Sequence, residues 1–227
     1  QLVPSVGLTL REVELLRAYQ RYYAQIAVAS SRAFIGTTLT HNPAVASALL
    51  TAFRVRHDPN LPGVTTPEER SEATRSADEA VQAALADVAS LAEDAVLRGL
   101  HDLIAATVRS NYYLTEGAIA LKIASRRVAT MPEPRPLFEI GVSGYGLEGT
   151  HLRGGRVARG GIRWSDRPDD FRTEILGLMK TQMTKNAVIV PVGSKGGFVV
   201  EHAPADPQEL RGYVERQYRT FIDALLS

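Results

Sequence analysis

The chain has 227 residues, no cysteine, and a formal net charge of +1 from 26 Lys plus Arg against 25 Asp plus Glu. That composition excludes disulfides and thiolate metal sites and argues against a broad nucleic-acid or membrane-binding surface. With 44% hydrophobic and 22% charged residues it is ordinary for a globular chain of one large domain or two small ones. No apolar run is long enough to span a bilayer and Gln1 does not open a signal peptide, so a cytoplasmic location is the default expectation and the chain reads as a fragment of a longer one.

Residues 1–130 read as helical. Thr9 and Glu12 make a capping-box pattern, after which Val13, Leu16, Tyr23 and Ile26 recur at helical spacing. Tyr19, Tyr22 and Tyr23 suit packing better than a cofactor box. Asn42-Pro43 opens a second helix through Phe53, with Asn42 as its cap. Asp58 to Thr66 reads as a loop, and His41 and His57 are expected at the surface, since two isolated histidines make no metal site. Thr66-Pro67-Glu68-Glu69 is a second capping box. Ser90 and Glu93 repeat its spacing, which predicts a break near residue 90 and a further helix from Leu91 to about Arg109, with His101 and Asp102 on its solvated face. No nucleophile, base and third group assemble in this half, so its expected work is packing.

Met131 to Pro136, with three prolines, marks the expected boundary of a second domain, 131–227. Phe138, Ile140 and Val142 alternate as in a strand. Gly144-Tyr145-Gly146-Leu147-Glu148-Gly149 has the letters of a dinucleotide fingerprint. However, Thr150 to Gly155 cannot propagate the helix on whose N-terminus a pyrophosphate would sit, so the stretch reads as strand–turn–strand. Strands are expected at 147–152 and 156–163, and a helix from Pro168 to Asn186 capped by Ser165 or Asp166. A strand at Val188–Val190, a tight turn at Gly193–Gly197, a strand at Phe198–Val200 and an amphipathic helix over 208–226 follow. The fold class is therefore α+β: an all-helical region followed by a partial α/β domain.

The stretch Arg156 to Val200 concentrates the chemistry. Only four of the basic residues are lysine, and Lys180, Lys185 and Lys195 lie within sixteen residues of one another. Lysine, unlike arginine, can be tuned to shed its proton. Phe171, Ile175, Leu178, Gln182 and Lys185 form one helical stripe, apolar at first and polar at its end. Such an end either points at a ligand or reaches solvent. Twelve of the 18 glycines fall between Gly141 and Gly197, and Arg159-Gly160-Gly161-Ile162-Arg163 and Gly193-Ser194-Lys195-Gly196-Gly197 each press a basic side chain against paired glycines. They read as anion-binding backbone or as tight turns. The second run is no Walker loop, because glycine follows the lysine and a strand comes next.

These residues carry a resemblance. The runs Arg159 to Arg163, Gln182-Met183-Thr184-Lys185-Asn186-Ala187 and Gly193 to Gly197, in that order, resemble the glutamate dehydrogenase superfamily. The whole stretch from Val157 to Phe198 resembles the large bacterial NAD-specific glutamate dehydrogenases, and the likeness extends to Arg109-Ser110-Asn111-Tyr112-Tyr113, Glu148 to Arg153 and Tyr218 to Ile222. The first hundred residues resemble, with weaker motifs, the helical region before the catalytic part of those proteins.

The resemblance implies reversible oxidative deamination of glutamate to 2-oxoglutarate and ammonium with NAD, in a homo-oligomer. Lys195 matches the catalytic lysine. Lys185 with Gln182 matches the grip on the α-carboxylate. Arg159 with the Gly160 backbone matches the grip on the side-chain carboxylate, a role Arg163 could also take. The smaller members of the superfamily usually carry lysine at the position of Arg159, and their spacing between the residues matching Lys185 and Lys195 is longer. The catalytic aspartate and the nicotinamide-binding Rossmann domain are expected beyond Ser227, so no cofactor-binding or metal residue is assigned here and the chain alone is expected not to turn over. A related dehydrogenase for an apolar amino acid and a non-catalytic scaffold or regulatory piece remain as alternatives.

Overall fold

The computed structural model describes residues 7–27, 29–185 and 192–227, apart from the side chains of 183–185. The chain divides into two compact units, Gln1–Ala106 and Thr107–Ser227. Among the described residues no helix is long and apolar enough to cross a membrane.

Among the described residues the first unit has five helices: α1 (Leu10–Ile26), α2 (Arg32–His41), α3 (Pro43–His57), α4 (Pro67–Leu85) and α5 (Leu91–Ala106). Both N-terminal capping boxes form. Thr9 accepts from the Glu12 amide while the Glu12 carboxylate takes the Thr9 amide at 2.8 Å, and Thr66 and Glu69 do the same. Tyr19, Tyr22 and Tyr23 are buried packing residues, with Tyr19 edge-on to Phe53 at 6.1 Å.

Other expectations for this half are corrected. The sequence reading passed over α2, which Ser31 caps through the Phe34 amide at 3.2 Å. Asn42 does not cap α3. Its amide donates instead to the Thr38 carbonyl at 2.9 Å and to Glu93 at 3.1 Å. His57 is not a surface residue. Its ring lies 4.6 Å from that of Phe53, and burial, helped by Arg56 and Arg70, pushes its pKa down to about 4. His101 is also largely buried, 2.7 Å from the Asp78 carboxylate that Arg56 holds at 2.6 and 2.7 Å, whereas Asp102 is exposed as expected.

The second unit is a six-stranded sheet with two helices. Its elements are β1 (Thr107–Ser110), β2 (Ile119–Ile123), β3 (Phe138–Gly144), β4 (Leu147–Arg153), β5 (Ile162–Trp164), α6 (Phe171–Lys185), β6 (Ser194–Val200) and α7 (Pro207–Leu226). The strand order is β1-β2-β3-β4-β6-β5. Neighbours are antiparallel except β5 and β6, which run parallel. The division between units thus precedes the boundary expected at residues 130 and 131. Helix α5 stops at Ala106, and the next residues pair into the sheet, where the Asn111 side chain ties the β1–β2 loop to the Ala120 amide at 2.7 Å and the Ala118 carbonyl at 3.0 Å.

The fingerprint-like glycines form the β3–β4 hairpin. Its turn puts Gly146 at φ +72, a conformation only glycine adopts cheaply. Three further corrections concern the second half. Gly193–Gly197 is not a turn, since Ser194 onward is strand β6. The strand expected at 156–163 shrinks to Ile162–Trp164 plus one bridge at Arg159. Helix α6 starts at Phe171, not Pro168, because the Ser165 hydroxyl takes the Arg167 amide at 3.1 Å and holds that segment as a turn. The strand expected at Val188–Val190 lies outside the described residues.

Two cores cover the two faces of the sheet. Ala120, Val142, Leu147 and Phe198 pack against Phe221 and Ala224 of α7, with Phe198 and Phe221 stacked at 5.8 Å. Leu152 packs against Ile175, Leu176 and Met179 of α6. Helix α6 also buries a charge. Arg172 and Glu139 of β3, 1% and 0% exposed, pair at 2.5 and 2.9 Å, and Arg172 also reaches the Met131 sulfur at 3.0 Å.

Two predictions follow from these buried groups. Arg172→Leu strands the Glu139 carboxylate and is expected to cost about 3–5 kcal/mol in urea unfolding, while replacing both residues by apolar ones recovers most of that loss. His57 is neutral in the folded state down to about pH 4, whereas in the unfolded chain it gains a proton near its ordinary value of about 6.5. Its contribution is therefore fully present above pH 6.5 and declines as pH falls toward 4. In His57→Gln the unfolding free energy should fall less steeply over that window.

Candidate active site

Lys195 lies near the start of β6, partly buried and directly opposite Leu152 of β4. Successive side chains of a strand point to opposite faces, and the neighbours settle which face is which. Leu152 belongs to the core under α6. A Cβ on Gly197 would overlap Ile175 of α6, and one on Gly193 would come within 3.1 Å of the Gln182 amide oxygen. Positions 193, 195 and 197 therefore face α6, and Lys195 stands between two glycines on that side. Gly196 points the other way, toward Ile162 and His151.

The segment before β5 is laid along β6. Arg159 forms a parallel bridge to Gly193. The Ser194 amide donates to the Arg159 carbonyl at 3.1 Å, and the Gly196 amide donates to the Gly161 carbonyl at 3.0 Å. The Gln182 side chain, near the end of α6, donates from Nε2 to the same Arg159 carbonyl at 2.8 Å. Contact is so close that a Cβ on Gly160 would overlap the Ser194 carbonyl oxygen, whereas one on Gly161 would meet nothing within 4 Å.

Charge is distributed unevenly around this junction. Arg163 is held by Glu174 of α6 at 2.9 Å, and the second Glu174 oxygen accepts from the Ser165 hydroxyl at 2.6 Å. Arg153 donates to the Arg156 carbonyl at 2.9 Å, and Arg167 pairs with Asp170. The Arg159 guanidinium is exposed, and neither it nor the Lys195 ammonium has an ion-pair or hydrogen-bond partner among the described residues. Among the described residues, two cations thus stand without counter-charge beside glycine backbone.

Of the residues predicted from sequence, the structure brings Arg159, Gly160, Gln182 and Lys195 to one junction. Arg163 is in register with Gly197 on the same face but is already paired. Lys185 ends α6 one turn beyond Gln182, and its side chain lies outside the described residues. Glu174 and Ser165 were missed, although Glu174 sits three residues after Phe171, at the edge of the polar-ended stripe. His151 was missed as well. Its Nδ1 is buried without a partner, and burial, with a smaller contribution from Arg153, pushes it down to about 4. Strand alternation could have placed it opposite Leu152. Among the described residues no group of three acidic or imidazole side chains is arranged to hold a metal ion.

Two family models match the chain. One, described as "Bacterial NAD-glutamate dehydrogenase, catalytic domain", covers residues 80–227, and one described as "Glutamate dehydrogenase, helical motif 3" covers residues 1–59. The first match begins inside α4, ahead of the division between the two compact units. Similar curated proteins are the NAD-specific glutamate dehydrogenases of Halomonas elongata, 44% identical over 235 residues, of Pseudomonas aeruginosa, 42% over 234, and of Mycobacterium tuberculosis, 42% over 243. Each alignment takes in the whole chain, which spans 14% of the relative's length.

The glycine contacts separate two neighbouring positions. Gly160→Ala must push the chain away from the Ser194 carbonyl and is expected to cost about 1–3 kcal/mol, the usual range for overpacking. Gly161→Ala should stay within about 0.5 kcal/mol. Unfolding midpoints, with faster amide exchange at Ser194 and Gly196 in the first variant alone, check this.

Proposed function

This chain belongs to the bacterial NAD-glutamate dehydrogenase family, and on that footing we propose that it forms the substrate-binding part of an enzyme interconverting L-glutamate with 2-oxoglutarate and ammonium. The observation that carries this reading is the pair of cations, Lys195 and Arg159, that have no counter-charge among the described residues and are set on segments hydrogen-bonded to each other. An acidic substrate supplies the missing charge.

In this reading the Arg159 guanidinium takes the side-chain carboxylate in a bidentate pair, with the Gly160 backbone beside it. The Arg163–Glu174 pair favours Arg159 over Arg163 for that grip. Lys185, with Gln182 one turn before it, attends the α-carboxylate. Lys195, near the start of β6, serves as acid and base. As the free amine it takes a proton from the water that attacks the imine carbon. As the ammonium it donates a hydrogen bond to the oxygen as the carbonyl forms, and it returns the proton to the departing nitrogen. When bound by a part of the protein outside this chain, NAD would supply the acceptor for the hydride on the substrate Cα. The catalytic aspartate is assigned to that remaining length too, so the chain alone binds substrate weakly and does not turn over. The helical unit is assigned to packing within a homo-oligomer.

In the full-length protein Lys195→Ala is expected to lower kcat by about 10²–10⁴, the range for losing a positioned acid or base. Retained turnover would remove the catalytic assignment. Arg159→Met should lower kcat/KM for glutamate by about 100-fold, consistent with the loss of a charge-assisted bidentate pair. An unchanged preference for glutamate over leucine would remove the dicarboxylate reading.

A further inference from the structure

We infer that Arg109, Lys122 and Arg153, brought to one cavity on the α7 face of the sheet, form a binding site for a phosphate group. The inference does not rest on the roles given above to Lys195 and Arg159.

The pairing of the strands assembles the three cations. Arg109 of β1 is directly opposite Lys122 of β2. Lys122 is opposite Ile140 of β3, which packs in the core under α7. Arg153 of β4 is opposite Phe138 of β3, two residues before Ile140 and on the same side of that strand. Leu152 points the other way, into the core under α6, as does Lys195. All three cations line one cavity of about 120 Å³, which Ser110, Asn111 and Ala224 of α7 also line. Among the described residues no carboxylate lines it.

Each cation is oriented by a neutral group. The Arg109 guanidinium donates to the Ser227 carbonyl. The Lys122 ammonium lies 4.6 Å over the Phe138 ring, and Arg153 donates to the Arg156 carbonyl at 2.9 Å. Such contacts fix a cation in place and leave its charge standing. Lys122 and Arg153 are half-buried, so water screens them only in part. The field of Arg153 is felt two residues away, where it adds to the burial that pushes His151 down to about 4. Like charges directly opposite each other on neighbouring strands destabilise a sheet, and a third charge on the same cavity adds to the repulsion. A bound anion converts that repulsion into attraction.

Geometry selects phosphate among anions. A planar carboxylate is satisfied by the fork of one arginine. Here donors come from three strands and surround a volume, which suits a group whose oxygens point in several directions. The cavity is several times larger than a single water needs. The Ser110 hydroxyl accepts the Tyr112 amide at 3.2 Å, which leaves its own proton to donate.

The test is isothermal titration calorimetry of the full-length protein with inorganic phosphate at low ionic strength. Saturable binding is expected. Lys122→Met and Arg153→Met should each raise Kd by about 10-fold or more, for loss of one charge-assisted hydrogen bond. Lys195→Ala and Arg159→Met should change it by no more than about twofold. The reverse pattern would put phosphate on the other face of the sheet and overturn the proposal, as would the absence of saturable binding. Phenyl phosphate separates the two sources of the group. Binding at least as tight as that of inorganic phosphate means that the group arrives on a larger molecule, and binding about 10-fold weaker means that free phosphate is the ligand. A measurement on the unmodified protein needs no variant to fold. Phosphate at about ten times its Kd should slow amide exchange about 10-fold in the paired stretch of β1 and β2, and unchanged exchange there would overturn the site.

Discussion

One carbonyl organises the functional end of this chain. The Arg159 oxygen receives the Ser194 amide from β6 and the Gln182 amide from α6, so strand, helix and the segment before β5 meet on a single acceptor. A carbonyl has two lone pairs and can serve two donors without strain. Because both donors are fixed in regular elements, the segment they hold becomes as rigid as the sheet. The absence of side chains next to it follows directly. Gly160 lies against the Ser194 carbonyl at a distance that admits no Cβ, and Gly193 gives the Gln182 amide its room. The glycine pairs are thus the condition for close backbone approach.

Helix α6 is anchored at both ends by polar contacts of different kinds. Near its start Arg172 is buried against Glu139 with the Met131 sulfur beside it, and near its end Gln182 reaches the Arg159 carbonyl. Between them Ile175, Leu176 and Met179 pack on Leu152. The apolar contacts supply most of the attraction, but they permit sliding. A bidentate ion pair does not, because rotating or shifting the helix by one residue would leave both buried charges alone. The ion pair fixes the register in which Gln182 arrives at Arg159.

How much of this was legible in the sequence depends on whether the signal was local. The Thr9–Glu12 and Thr66–Glu69 boxes were readable because a cap needs only residues three apart, and the Gly144–Gly149 hairpin was readable because nothing after it could propagate a helix. The stripe from Phe171 to Gln182 was legible from period alone, and the motif runs singled out Arg159, Gln182 and Lys195, whose segments the structure brings to one junction. What failed was long-range. Gly193–Gly197 looked like a turn since nothing local reveals that Ile175 and the Arg159 segment crowd both sides of a strand. His57 looked solvated because, although Phe53 one turn back was visible, the packing of the rest of its surroundings, with Arg70 of α4 among them, was not. Asn42 looked like a cap, but Glu93, far along the chain, competes for its amide. The prolines after Met131 are visible locally, whereas the pairing of β1 with β2 is not.

The arrangement also explains why a chain with almost no net charge can present a charged site. Beside the junction Arg163 pairs with Glu174 and Arg167 with Asp170. Arg159 and Lys195 have no such partner among the described residues, and because β5 and β6 run parallel, two distant runs of sequence lie side by side in the same direction. A parallel pair needs a crossover, and α6 is part of the chain that connects β5 to β6. The connection that makes the pair possible therefore delivers Gln182 to the same place. Topology, glycine and the polar end of one helix thus act together at this one place.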